Sequence, residues 1–390
     1  MRNVYADLHI HIGRSKGRPV KITASRNLEV KPLIYNDAPR KGLDMIGVVD
    51  AGSPLVSQEI QEMINSGELN EHPQGGLRAK NGVLLILGCE IETKEGVHLI
   101  SYLPFFKNLI EWQKYMQTRV RNLTLSTQKA NITFKELINL AFICDGFVCP
   151  AHAFTPHKGV YGFYTENLTK ELGKDISQIK ALELGLSADT NMADLITETR
   201  NFTFLSNSDA HSSINVGREY NLLRIRDMNF NELRLCLENI DGRKIIANYG
   251  IDPQMGKYNR SYCSSCEKIT EDDAPVIVCS SCGSRDIIMG VYDRIVQIKD
   301  RDELVHPIGR PPYLYRVPLK DIPGVGAKMY DKLIKFFFNE IEVLEKATIE
   351  DIEKIAGDNI AQIISKMRIN RLDITPGGGG KYGKVKKNNY

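Results

Sequence analysis

The feature that most restricts the possible folds is an apolar segment near the N-terminus that ends in alternating acidic and imidazole side chains. It reads Val4-Tyr5-Ala6-Asp7-Leu8-His9-Ile10-His11. Side chains alternate between the two faces of a strand, so Asp7, His9 and His11 are expected on one face. Two imidazoles and a carboxylate at one strand end suit a catalytic divalent metal ion. The sequence therefore predicts a strand that carries part of a metal site.

Further ligand-type side chains stand at the ends of other predicted strands. They are Asp50, Glu90, His98, His152, Asp209 and His211. Five of the eight histidines of the chain fall at strand ends together with acids. More than four candidate ligands implies more than one metal ion. Histidines with shared carboxylates are typical of phosphoester hydrolysis by two or three metal ions.

The first 250 residues alternate short apolar runs with longer amphipathic ones. Strands are predicted at residues 4–10, 45–49, 83–87, 97–102, 147–150, 181–184 and 202–205, and helices at 54–66, 108–130 and 133–142. Strands that alternate with helices favour a parallel α/β fold, and a barrel is expected at this length. Such barrels place their active sites at the ends of the strands, where the candidate ligands lie.

Composition and charge narrow the class of protein. Of 390 residues, 42% are hydrophobic and 25% charged, which is enough apolar material for two to four domains. No apolar run of about 18 residues and no signal-peptide core is found, so a cytoplasmic protein with no membrane partner is expected. Residues 310–390 carry 15 Lys/Arg and 10 Asp/Glu, a net charge of +5. This basic segment favours a polyanion partner, usually nucleic acid.

The cysteines indicate a second metal site. Two Cys-x-x-Cys pairs, twelve residues apart, are formed by Cys263, Cys266, Cys279 and Cys282. This spacing is typical of a zinc ribbon, in which four thiolates complete a tetrahedral site. Because four thiolates leave no open coordination position, one structural zinc ion is predicted.

Composition shifts divide the chain into four predicted units. Residues 1–255 form the metal-site domain, 256–305 the four-cysteine domain, 306–372 an all-α domain, and 373–390 a flexible basic tail that begins in a run of glycines. In the third unit Pro323-Gly324-Val325-Gly326-Ala327-Lys328 precedes an amphipathic helix and resembles a helix-hairpin-helix motif. Gly324, Gly326 and Lys328 are therefore candidates for binding the DNA backbone.

Several of these pieces resemble the polymerase-and-histidinol-phosphatase (PHP) family of metal-dependent phosphoesterases. The matching pieces are Asp7-Leu8-His9-Ile10-His11, Gly88-Cys89-Glu90, His98, Pro150-Ala151-His152 and Ser208-Asp209-Ala210-His211. The resemblance implies a distorted seven-stranded α/β barrel with a trinuclear site whose ligands are His9, His11, Glu90, His98, His152, Asp209 and His211. The family's second motif usually reads Thr-Asp-His, whereas this chain has Val49-Asp50-Ala51. Asp50, like Asp7, is therefore expected as a direct ligand.

The family also has a ligand shortly after the first motif, where this chain has a basic loop instead. Arg14, Lys16 and Arg18 lie in a stretch with five positive charges and no acid between residues 12 and 28. A basic loop beside the metal ions suits a polymeric phosphate backbone. A loop that is simply solvated explains the same charges equally well.

The order of the four units resembles the endonuclease Q family over nearly the whole chain. The resemblance implies a DNA repair endonuclease that cuts duplex DNA 5′ to deaminated bases (uracil, hypoxanthine, xanthine) or abasic sites, after flipping the base. It implies two or three divalent ions (Zn, Mg or Mn), with Asp209, His9 and His11 central to catalysis. Glu183, Ser187 and Trp112 are the candidate base-pocket residues. Trp112 is equally compatible with a packed position on its helix. A monomer is expected.

Three other functions remain open at this point. A small-molecule PHP phosphatase would need no DNA-binding units. A polymerase-type 3′–5′ exonuclease would digest undamaged ends. A non-catalytic DNA-binding scaffold would survive replacement of His9 and His11. The seven ligand-type residues still in place argue against the scaffold.

Overall fold

The computed structural model describes residues 1–386. Residues 387–390, the end of the predicted basic tail, lie outside the described part of the chain. Within residues 1–386, no helix is both long and apolar enough to cross a membrane.

Residues 1–250 form a mixed α/β unit around a central sheet. Its strands are β1 (Arg2–Ile10), β2 (Arg14–Ser15), β3 (Arg18–Pro19), β4 (Met45–Val48), β5 (Leu69–Glu71), β6 (Leu77–Ala79), β7 (Leu84–Glu92), β8 (His98–Leu103), β9 (Phe147–Pro150), β10 (Ala181–Glu183), β11 (Thr203–Leu205), β12 (Tyr220–Ile225) and β13 (Lys244–Gly250). Its helices are α1 (Val30–Pro32), α2 (Ala38–Lys41), α3 (Pro54–Asn65), α4 (Phe106–Met116), α5 (Phe134–Ile143), α6 (Leu168–Leu172), α7 (Thr190–Ala193) and α8 (Phe230–Leu237).

All seven predicted strands are present, as β1, β4, β7, β8, β9, β10 and β11. Strands β1, β4 and β7 pair in parallel, as do β10 and β11. Strand β8 is antiparallel to both β7 and β9, and β12 is antiparallel to β1, so the parallel arrangement predicted for the whole unit is wrong. Five residues join β7 to β8. A connection this short cannot hold the crossover that parallel pairing requires.

Two isolated β-bridges connect the central sheet to the segments that flank β10 and β11. Val148 of β9 bridges to Ile179, just before β10, and Ile10 of β1 bridges to Ala210, just after β11. The ends of β1 and β11 therefore lie side by side. This proximity brings the side chains that follow the two strands to one place.

The predicted helix over residues 108–130 ends early, at Met116. The Asn122 Oδ1 atom accepts hydrogen bonds from the backbone and the hydroxyl group of Thr124, at 3.1 and 2.6 Å. Such local side-chain bonds compete with helical backbone bonding. Residues 117–129 consequently form a loop, and its Ser126 and Thr127 line the cavity described below.

The four-cysteine unit contains three short strands, β14 (Tyr262–Cys263), β15 (Lys268–Ile269) and β16 (Ile287–Ile288), followed by α9 (Val291–Ile298). Next comes β17 (Tyr313–Tyr315), which pairs in parallel with β13. The domain boundary predicted at residue 306 assigns β17 to the helical unit, but β17 extends the central sheet. Tyr313 and Tyr315 of β17 lie on one face of that sheet edge, with their ring centroids 5.7 Å apart, and Leu314 lies on the other.

The helical unit comprises α10 (Ala327–Phe337), α11 (Ile349–Ala356) and α12 (Asp358–Arg368) around its own apolar core. After it, β18 (Ile374–Thr375) and β19 (Lys384–Val385) form an antiparallel hairpin. The hairpin bonds back to residues 254–257, which differs from the flexible tail predicted from its glycines. Glycines at these positions permit close approach of two backbones.

A buried carboxyl group directly before β12 predicts a pH-dependent stability. Glu219 accepts the backbone N–H of Ile251 at 3.0 Å, and its Oε2 atom has no hydrogen-bond partner among the described residues. Burial raises its pKa from 4.5 to about 8. The Glu219 carboxyl group has a higher pKa in the folded protein than in the unfolded chain, where it is 4.5. Its contribution to the stability of the fold is therefore fully present below pH 4.5. This contribution is lost as the pH rises from 4.5 towards 8, because the unfolded chain releases its proton first.

Glu219→Gln, which cannot ionise, is therefore expected to match the natural protein near pH 5 and to be more stable above pH 8. The expected gain is on the order of 3 kcal/mol, or roughly 5 °C in melting temperature. Thermal unfolding at pH 5 and pH 8.5 measures it, with exposed Glu303→Gln as the surface control. A difference that is the same at both pH values would contradict the assignment.

Candidate metal centre

Seven ligand-type side chains converge at one end of the central sheet. Within each of three groups the ligand atoms lie within 4.8 Å of one another, and the groups are His9/His11/Glu90, His11/Asp209/His211 and Glu90/His98/His152. His11 belongs to the first two groups and Glu90 to the first and third. The seven residues therefore form one connected cluster, as the sequence predicted for these positions.

Strand ends supply these side chains. His9 lies on β1, His11 just after it, Glu90 on β7, His98 at the start of β8, His152 just after β9, and Asp209 and His211 after β11. His152 and Asp209 have positive φ angles, 32° and 45°. Non-glycine residues rarely adopt this conformation, and it is concentrated at functional sites.

Glu183 orients His9 and does not face the cavity. Its carboxylate lies 3.0 Å from Nδ1 of His9 and accepts the amide of Asn207 at 2.9 Å and the backbone N–H of His152 at 3.0 Å. The Nε2 atom of His9 is thereby directed towards Glu90. A carboxylate behind a histidine fixes the ring and its tautomer for metal binding. The prediction of Glu183 as a base-pocket residue is corrected, because it is fully buried behind the cluster.

Asp50 has the same relation to His11. Its Oδ1 atom lies 3.0 Å from Nδ1 of His11, and its Oδ2 atom accepts the backbone N–H of Ile12 at 2.5 Å. Ser126 donates a further hydrogen bond to it. With both oxygens occupied, Asp50 positions a ligand, and the expectation that it is a direct ligand is corrected.

Asp7 lies outside the cluster. Its carboxylate accepts backbone N–H groups of Ser208 at 3.1 Å and Gly217 at 2.9 Å, so it braces the loop that follows β11. The pairing of β1 with β4 shifts register between Asp7 and Ile10. A bulge breaks the two-residue alternation on which the prediction of Asp7 as a ligand rested.

The electrostatics of the cluster favour positive charge at its centre. Burial alone would lower the pKa of His9, but the carboxylates of Glu183, Asp209 and Glu90 raise it to about 10. Burial would raise the pKa of Glu90, yet His98 and Lys21 hold it well below its usual range. Protons or divalent cations can supply this positive charge, and metal binding would release the protons.

Glu90 provides a direct test of fit for a metal ion. Its Oε1 atom is buried and lies 3.2 Å from Nδ1 of His98 and 3.5 Å from Nε2 of His9. It nevertheless makes no hydrogen bond among the described residues. Ligand atoms that are close together without bonding each other suit coordination of a common cation, so the residues present fit a divalent metal.

Six of the seven cluster residues, all except His9, line a cavity of about 720 Å³. Sequence reasoning did not assign several residues on its wall, namely Lys21, Thr127, Asn207, Arg218, Lys257 and Tyr382. The Nζ atom of Lys21 lies 2.5 Å from Oγ1 of Thr127 and 3.4 Å from Oε2 of Glu90. Lys21 is one of the five positively charged residues of the basic loop, and the sequence alone does not distinguish it from the other four.

The other predicted site residues fall in different places. Ser187 lines the cavity, and its base-pocket role stays a prediction. Trp112 is 1% exposed and packs in the core against Gly52, so its predicted contact with a base is corrected. The face of α4 that carries Trp112 turns inward, which explains the burial.

The predicted DNA-contacting arginines and lysine of the basic loop are partly neutralised. Arg14 pairs with Glu29 at 2.6 Å, and Lys16 pairs with Glu62. Arg18 is exposed and makes no ion pair among residues 1–386. Local carboxylates therefore compete with phosphate for two of the three side chains.

The four cysteines are grouped as the spacing indicated. The Sγ atoms of Cys263 and Cys282 lie 3.6 Å apart, and those of Cys266 and Cys279 lie 3.7 Å apart. Tetrahedral zinc with Zn–S bonds of about 2.3 Å places its sulfurs about 3.8 Å apart. These two distances match the spacing that zinc requires, and all four Sγ atoms lie within 4.8 Å of one another.

Comparison with known proteins places this geometry in a family. A family model described as the MJ0043 C-terminal domain matches residues 326–371. The uncharacterized protein YqxK of Bacillus subtilis (strain 168) is 39% identical over 392 residues, which cover 99% of this chain and 100% of that protein. The crystal structure of the lesion-specific endonuclease PfuEndoQ from Pyrococcus furiosus superposes with a TM-score of 0.85 at 34% identity, covering 99% of this chain and 95% of the other.

A second solved structure is endonuclease Q in complex with a 27-mer duplex substrate that has an abasic lesion at the active site. It superposes with a TM-score of 0.86 at 34% identity, covering 100% of this chain and 97% of that one. The chain belongs to the endonuclease Q family. It is accordingly a metal-dependent endonuclease, and the seven-residue cluster is a candidate site for its metal ions.

In this endonuclease Q, Glu183→Gln is expected to lower the cleavage rate about 10- to 100-fold, because His9 loses its fixed orientation. The loss should be equal on substrates with different lesions, and metal retained after dialysis should fall. Rates on uracil, hypoxanthine and abasic duplexes, with metal analysis, measure both. If Glu183→Gln lost activity on only one of these lesions, Glu183 would instead be assigned to the base pocket.

Proposed function

We propose that the chain is a DNA repair endonuclease that hydrolyses the phosphodiester on the 5′ side of deaminated bases (uracil, hypoxanthine or xanthine) and of abasic sites. The observation that carries this proposal is the connected seven-residue cluster, of which six members line the cavity. Its support is the full-length similarity to a lesion-specific endonuclease. The relation to an endonuclease Q bound to duplex DNA extends the proposal to a duplex substrate.

Three overlapping ligand groups support two or three divalent ions, which could be Zn, Mg or Mn. Bound there, such ions would activate a water molecule and stabilise charge on the phosphate. The chain's own residues hold the substrate and the ligands in place. Lys21 puts a positive charge beside Glu90 on the cavity wall, where a phosphate oxygen would approach. Asp50 and Glu183 keep His11 and His9 in their orientations.

The cavity has room for a nucleotide turned out of the duplex. Its volume of about 720 Å³ lies in the usual range for small-molecule sites. Extruding a base costs a few kcal/mol and least at a mismatch, which favours deaminated bases over normal pairs. Ser187 on the wall can contact the edge of the base.

The helical unit supports binding to the DNA backbone as a helix-hairpin-helix. Gly326 precedes α10, and a Cβ atom built there would meet nothing within 4 Å, so its backbone is open to a ligand. Gly324 has a φ of 94°, and Lys328 is exposed beside it. Backbone N–H groups at a helix start bind phosphate without reading sequence. Helices α11 and α12, joined at Gly357, would form a second, degenerate hairpin.

We also infer the seven-stranded PHP-type barrel. The support is the unbroken chain of pairings from β1 through β4, β7, β8 and β9, the bridge from β9 to the segment before β10, and the bridge that links β1 to Ala210. The four cysteines would hold the structural zinc ion. A monomer stays a prediction.

A nicking assay tests the proposal. Labelled duplexes with one uracil, hypoxanthine, abasic site or no lesion are incubated with Mg²⁺, Mn²⁺ or Zn²⁺. Asp209→Asn, which alters a cluster residue, runs as the control for contaminating nucleases. The expected result is one cut 5′ to the lesion, absent from the undamaged strand and from the variant.

Each alternative function predicts a different outcome of the same assay. Release of phosphate from monoesters without lesion cleavage would favour the phosphatase. Shortening of undamaged 3′ ends would favour the exonuclease. Binding of DNA with no cleavage under any metal would favour the scaffold.

A further inference from the structure

The C-terminal segment folds back onto the central unit beside the cavity. Its backbone N–H groups at Gly377 and Gly383 donate to the carbonyl oxygens of Gln254 and Met255, both at 2.8 Å. A Cβ atom at Gly377 would lie 2.6 Å from the Met255 oxygen. Gly377 therefore permits the close backbone approach on which this docking depends.

This docking delivers Tyr382 to the mouth of the cavity. Its ring is 40% exposed and lines the cavity wall. Nη1 of Arg218 donates to the Tyr382 hydroxyl at 3.2 Å, and the Arg218 guanidinium carbon lies 5.4 Å from the ring centroid. Nζ of Lys257 lies 5.8 Å from the same ring. Two cations thus hold the ring at the entrance while leaving part of its surface open.

Arg218 connects this ring to the metal cluster. Its Nε atom donates to the Ser208 carbonyl at 2.7 Å, and Nη2 lies 3.4 Å from the Asp209 carbonyl. Tyr382 is therefore anchored to the loop that carries two cluster residues. A base held beside this ring would lie next to the reacting phosphate.

We propose that Tyr382 is a substrate-binding residue whose ring stacks on the base extruded into the cavity. The inference rests on the proposed function. The proposed lesions include one-ring and two-ring bases whose polar edges differ, so no single hydrogen bond suits all of them. Stacking serves all of them, because every base has a π face. The same ring would add nothing to an abasic site.

The difference between uracil and abasic substrates gives the test. Tyr382→Ala is expected to lower kcat/KM on a uracil duplex roughly tenfold, and on an abasic duplex less than about twofold. Tyr382→Phe should retain the natural rates on both. Metal content should be unchanged in every variant.

Tyr292→Ala is the matched control. Tyr292 is also 40% exposed, and the guanidinium carbon of Arg260 lies 5.7 Å from its ring centroid. Tyr292 does not line the cavity. Tyr292→Ala should leave the ratio of kcat/KM on the uracil duplex to kcat/KM on the abasic duplex unchanged.

Three results would overturn the inference while the natural protein cuts uracil DNA. The first is an equal loss of kcat/KM on both duplexes in Tyr382→Ala, which would mean that Tyr382 acts through Arg218. The second is a loss in Tyr382→Phe as large as in Tyr382→Ala. The third is no loss of kcat/KM on the uracil duplex in Tyr382→Ala. If the natural protein fails to cut uracil DNA, the proposed function itself fails and the inference falls with it.

Discussion

Glu90→Gln is expected to slow lesion-directed cleavage by about a thousandfold or more and to remove metal from the protein. Glu90 is shared by two of the three ligand groups, and its buried Oε1 atom makes no hydrogen bond among the described residues. Glutamine keeps the size of the side chain but replaces one ligand oxygen with an amide nitrogen that has no lone pair for a metal. Single-turnover cleavage and metal analysis after dialysis measure the two effects.

Glu92→Gln is the control for this variant. Glu92 lies two residues further along β7, and its carboxylate pairs with Lys158 at 2.7 Å, outside the three ligand groups. It should keep its metal and most of its activity. A Glu90→Gln protein that retained metal and rate would contradict the assignment of the cluster.

Cys279→Ser is expected to lose one zinc ion per chain and to unfold the four-cysteine unit. Between residues 257 and 290, the buried apolar residues in the structure are Cys263, Val276 and Cys279. So small a core cannot stabilise a unit of this size, whereas structural zinc contributes about 10 kcal/mol or more to folding. Zinc analysis and limited proteolysis, with new cleavage expected within residues 260–290, measure the loss.

Ser265→Ala controls for substitution within the same unit. Ser265 is exposed between the first two cysteines and supplies no thiolate. It should bind zinc and resist protease like the natural protein. A Cys279→Ser protein with full zinc content would show that the site does not need four thiolates.

Much of the fold and the cluster could be predicted from residue patterns. The seven predicted strands all exist, and the seven residues His9, His11, Glu90, His98, His152, Asp209 and His211 meet where their strands end. This works because an apolar run locates a strand, and neighbouring strand ends share one edge of a sheet. The direction of pairing was less predictable, since it depends on the length of each connection.

The roles of three acids could not be read from the same patterns. Asp7, Asp50 and Glu183 all lie on or beside the correct strands, yet each carboxylate faces a backbone amide or the far side of a histidine. Whether an acid coordinates a metal or orients a ligand depends on a few ångströms of side-chain placement. A bulge in β1 was enough to change this placement for Asp7.

The sequence by itself determined which residue types stand at which strand ends, and hence the seven-residue cluster and the grouping of the four cysteines. Tertiary structure alone decided that Trp112 is buried and that Tyr382 reaches the cavity, 164 residues from its partner Arg218. Strand and helix periodicities are local, so they are visible in a window of about ten residues. Contacts between distant segments depend on how whole elements pack, and no local pattern encodes them.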